Sequence, residues 1–138
     1  MTRSHQPLIR LARFKVEELQ KQLAELDRSK ASLNDQIVRL EASVPEEQAQ
    51  ATQSKEGYLA YGSYAQAVIK RKENIRASLT EVETQADALR ERLSEAFQEL
   101  KKYELLEERR LARAEDAVRR AEQDGLDEVA QIRHRRSH

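Results

Sequence analysis

The sequence has no cysteine, only two prolines and three glycines, and aromatic residues at 4%. Without cysteine there is no disulfide staple and no thiolate chemistry, a composition compatible with a reducing compartment. The three glycines form no phosphate-cradling loop, so the chain is not expected to bind nucleotide. No segment alternates apolar and polar residues with period two, and no β-sheet is expected. The longest stretch without a charge, Gly57 to Ile69, holds Ser, Gln and three Tyr, and falls far short of the roughly 20 apolar residues of a membrane span. Arg3, Arg10 and Arg13 are followed by no continuous apolar block, so no secretory signal is expected. An excess of one charge is lacking too: 25 basic and 25 acidic residues cancel, leaving no global field to gather nucleic acid or anionic lipid.

What is present is a seam. Apolar residues recur at alternating steps of four and three through Ala12, Val16, Leu19, Leu23, Leu26, Lys30, Leu33, Ile37, Leu40 and Val44. The spacing resumes at Tyr61 and continues through Ala65, Val68, Lys72, Ile75, Leu79, Val82, Ala86, Leu89, Leu93, Ala96, Leu100 and Tyr103. Such a 3.5-residue period marks a coiled coil. With 38% hydrophobic and 36% charged residues, the chain has little for a globular core but enough for a narrow two-helix seam. A disordered chain would not hold this period over several heptads. The pattern predicts an all-α fold, a long antiparallel two-helix coiled-coil hairpin with a longer second helix.

The segments follow from the punctuation. Residues 1–6 read as a flexible N-terminus, and Pro7 suits the first turn of helix one, which is expected over 7–44. Pro45 disfavours helix at Val44, and with Gly57 and Gly62 it marks 45–60 as the turn region, with room for one short helix. Helix two is expected over 61–124, with Asp124-Gly125 as its stop, and 125–138 as a short amphipathic segment and basic tail. Helix one can cover helix two only to about Leu100; the rest projects. There strict heptads place Glu107 and Arg110 inside, whereas the eleven-residue step from Leu100 to Leu111 points to a shifted stripe that includes Val118. An apolar stripe on an unpaired helix end suits a partner.

Other residues support several readings. Lys30 and Lys72 in the seam fix register or snorkel outward. Lys101, Lys102, Arg109, Arg110, Arg113, Arg119 and Arg120 are interleaved with acids at helical spacing, as on a solvated face. His134 and His138 are four apart but lack a third ligand, so no metal site is expected. Glu104, Glu107 and Glu108 imitate a carboxylate cluster, but a two-helix seam offers no pocket to shift a pKa. No enzyme activity and no cofactor are expected.

Three runs resemble the flagellar export protein FliJ family: Tyr61-Gly62-Ser63-Tyr64 followed by Val68, Arg71 and Ile75; Lys101-Lys102-Tyr103-Glu104-Leu105-Leu106-Glu107-Glu108-Arg109; and Leu126-Asp127-Glu128-Val129-Ala130. The resemblance covers nearly the whole chain. It implies a cytoplasmic protein of the flagellar type III export apparatus, peripherally associated with the membrane at the flagellar base and inserted into none. The partners implied are the hexameric export ATPase FliI, the cytoplasmic domain of the export gate FlhA, and export chaperones. By the same resemblance Tyr64, Val68, Arg71 and Ile75 map to the gate-binding stripe, although Arg71 stands where a small apolar residue is usual. Leu111, Arg113, Val118 and Arg120 are the candidates for the ATPase ring. A scaffold or homodimerising spacer unrelated to export is the alternative.

Overall fold

The computed structural model describes residues 3–137. Two helices, α1 (Gln6–Ala51) and α2 (Lys55–Arg136), form an all-α antiparallel hairpin, and there is no strand among the described residues.

The chain packs as two units. In the first, residues 17–94, the inter-helix pairs run antiparallel: Asp27 with Arg90 at 4.0 Å, Lys30 with Glu83 at 3.2 Å, Glu41 with Lys72 at 3.1 Å, and the hydroxyls of Ser43 and Tyr64. As one partner's number rises, the other's falls. Leu19, Val68, Ile75 and Ala86 are buried between the helices, and the remaining seam positions are half-buried. Both seam lysines reach an acid on the opposite helix. Such partly exposed pairs contribute roughly 1 kcal/mol or less, so apolar burial carries the stability.

The connection is short. Gln53 N–H bonds the Gln50 carbonyl at 3.2 Å, and Ser54 caps α2: its Oγ accepts the Gly57 N–H at 2.9 Å, while its carbonyl accepts the Tyr58 N–H. A Cβ at Gly57 would sit 2.9 Å from that Oγ and 3.5 Å from Ala51 Cα, so this position favours glycine for space.

The helix limits differ from those the punctuation suggests. α1 continues through Pro45 to Ala51 instead of stopping at Val44, and α2 starts at Lys55, before Tyr61. The proline forfeits one backbone bond on an exposed face, at a cost of about 3 kcal/mol. Packing on either side offsets it: Val44 is half-buried, Ala51 one heptad on is buried, and Ser43 is tied to α2. Likewise α2 passes through Gly125 to Arg136. No glycine has a positive φ, so the C-terminal cap expected at Gly125 is not formed.

In the second unit, residues 3–16 lie with residues 95–137. Ile9, Ala12, Val16 and Ala96 are buried, with Leu100 and Tyr103 half-buried. Residues 4 and 5, expected to be loose, are anchored on α2 at Glu107. From Leu111 onward every described residue of α2 is exposed.

Candidate functional site

Two stretches of α2 carry the candidate residues, one in each unit. In the unit of residues 17–94, the Tyr64 hydroxyl meets Ser43 Oγ, which itself donates to the Leu40 carbonyl at 2.7 Å. The serine proton is thereby committed, so the tyrosine O–H donates to Ser43. Tyr64 is half-buried and leans on α1; it is not a free surface aromatic. Val68 and Ile75 are each 6% exposed, which makes them packing residues. Arg71 is the exposed member of the four. The structure therefore separates this stripe into a buried pair, a tethered tyrosine and one outward cation. Sequence spacing missed Tyr58, Leu59 and Ile69, which are exposed large apolar groups on the same helix. Their signal is being apolar while off the four-three spacing.

In the other unit, Glu107 is the one buried charged residue among those described. Its Oε2 accepts the Ser4 hydroxyl at 3.2 Å and the backbone N–H of His5, with His5 Nδ1 at 3.6 Å. Its Oε1 accepts Arg110 Nε at 2.6 Å. Burial pushes the carboxyl up, but the His5 N–H, the Arg110 guanidinium and the Ser4 hydroxyl outweigh it, and it lies below the usual carboxylate range. The His5 carbonyl accepts the Ile9 N–H, so His5 stands at the cap position just before α1, whose own first turn has no acid. Glu107 supplies that negative charge from the other helix. Strict heptad continuation had placed Glu107 and Arg110 inward, and this phase is the one that α1 meets; Leu106 and Leu111 stay exposed. One turn earlier, Tyr103 donates to Glu99 at 3.2 Å, and that hydrogen bond, the Glu99 charge and burial all raise its phenol.

Past Glu107, Leu111 and Val118 are exposed, as are Arg113 and Arg120. Two residues along a helix is a turn of about 200°, so the arginines lie on the side opposite the two apolar residues. The structure does not bring these four onto one face. Arg119 is drawn to Asp116 at 3.0 Å and Glu115 at 4.0 Å, as on a solvated, ion-paired surface. Leu8, Leu11, Phe14 and Phe97 are further exposed apolar groups of this unit, and the seam spacing did not single them out. His138 lies outside the described residues, among which no His, Asp and Glu group is arranged to hold a metal. No helix is long and apolar enough to cross a membrane among the described residues.

A family model described as Flagellar FliJ protein matches residues 2–138. The chain is similar to the Flagellar FliJ protein of Caulobacter vibrioides strain NA1000 / CB15N, with 28% identity over 131 residues covering 94% of each chain. The same protein from strain ATCC 19089 / CIP 103742 / CB 15 gives the same figures. No solved structure matches.

Proposed function

The chain belongs to the flagellar FliJ protein family, and from that premise we propose that it serves flagellar type III protein export as a stalk between the hexameric export ATPase, FliI, and the export gate, FlhA. The observation that carries this reading is the bare end of α2, exposed on every side from Leu111 to Arg136. Apolar groups at Leu111 and Val118 lie on one side and cations at Arg113 and Arg120 on the other. A flat partner meets one of these sets, whereas an enclosing pore meets both. The gate contact falls to the turn-proximal part of α2, where Arg71 is exposed and Tyr64 is held in place by Ser43. Gate binding would keep the protein peripherally at the cytoplasmic side of the membrane, where it also assists export chaperones.

The test is ATP hydrolysis by the purified ring with and without this protein. Native chain stimulates; Arg113→Glu with Arg120→Glu, and separately Leu111→Ser with Val118→Ser, abolish stimulation while helicity is kept. A scaffold unrelated to export leaves hydrolysis unchanged with every variant, and that result would end the stalk reading.

A further inference from the structure

Leu111, Val118, Gly125 and Ile132 repeat at seven residues along α2, with Ala114, Ala121 and Val129 between them. At 100° per residue all lie within about 40° of one line. That line continues the face on which Ala96, Leu100 and Tyr103 are covered, so the stripe begins where α1 stops. Gly125 is its odd member. A Cβ there would meet nothing within 4 Å, its φ is not positive, and glycine in an exposed helix costs about 1 kcal/mol relative to alanine. Nothing within the chain calls for it; the close approach of a second backbone does.

We propose that two copies of this chain pair through the stripe, antiparallel, about a two-fold axis near Ala121. In that register large meets small: Val118 lies opposite Gly125 of the second copy, and Ala114 opposite its Val129. Ala121 crosses its own duplicate, and Leu111 closes against Ile132. The flanking charges select the second copy as occupant. Glu108 comes opposite Arg133, and Arg119 opposite Glu122, each twice by symmetry. A parallel pair instead aligns the acid-rich stretch 122–128 of one copy with that of the other, and the Arg133–Arg136 ends likewise. Because α1 starts beside Glu107, which comes opposite residue 135 of the second copy, it leaves the face open over the paired length. The pairing does not depend on the export reading; where that reading also holds, the copies part before the helix enters a ring.

Absence of cysteine makes the test direct. Ala121→Cys oxidises to a covalent dimer. Leu111→Cys alone does not, but mixing it with Ile132→Cys chains gives the crossed dimer. In sedimentation equilibrium the native chain rises from one to two chains with concentration. Arg133→Glu weakens this roughly tenfold, and adding Glu108→Arg restores it. Native chain that stays at monomer mass throughout, or Leu111→Cys that crosslinks with itself as readily as Ala121→Cys, overturns the proposal.

Discussion

The Glu107 carboxylate accepts the backbone N–H of His5, so the first turn of α1 is capped by a residue of α2 about 100 positions away in sequence. A helix cap made this way joins secondary to tertiary structure: the first turns of α1 are held only while they lie on α2.

That clasp has a defined acid response. Because the Glu107 carboxyl lies below the ordinary value of about 4.3, its contribution is complete above that value. It is lost as pH falls through the lower folded value. Glu107→Gln should therefore melt below the native chain at pH 7, and the gap should narrow as pH falls below 4, as read by circular dichroism.

Seam and surface separate by magnitude. Ile75→Ala should cost about 2–4 kcal/mol in urea unfolding, since it leaves a gap between helices. Arg71→Ala should stay within about 0.5 kcal/mol, as expected of an exposed group. Arg71 is therefore the clean position at which to test the gate binding proposed above.

Tyr64→Phe removes only the hydroxyl that meets Ser43. The expected loss is about 0.5–1.5 kcal/mol of stability. A larger fall in gate affinity than this small destabilisation explains would show that the ring's placement matters to the partner.

Glu41 and Lys72 form the pair most informative about register. Lys72→Glu should destabilise the hairpin by setting two acids together, and Glu41→Lys in the same chain should recover it. The coupling expected from a thermal double-mutant cycle is about 0.5 kcal/mol.

The glycines give opposite expectations on one substitution. Gly125→Ala meets open space within one chain and should stabilise the helix by about 0.5–1 kcal/mol when measured at concentrations too low for two copies to pair. Gly57→Ala must displace the Ser54 hydroxyl from its cap, which offsets the gain, so its melting temperature should barely change.

Much of this was readable from spacing alone. Each seam position from Ala12 to Val44 and from Tyr61 to Tyr103 is buried or half-buried, because a four-three repeat has one way to hide its apolar face. Pro45 and Gly125 misled because a breaker acts locally, with a penalty of about 1–3 kcal/mol that packing several residues away can override. Ile9, also buried, lies three residues before Ala12 and simply extends the same row. Glu107 is the instructive case. Its spacing pointed inward, but a carboxylate inside needs donors, and those donors, Ser4 and the His5 N–H, belong to a segment with no apolar signal. Sequence spacing gives the phase of Tyr64 and Arg71, not which of them a serine tethers.

Since α1 covers the same face of α2 that runs on bare beyond Glu107, the reach of the unclad helix is set by where α1 begins. Trimming seven residues ahead of Ala12 would lengthen it by about one heptad, roughly 10 Å, without altering the turn or the carboxyl end. The length of bare helix thus answers to edits at the amino end of α1 and to none at the turn.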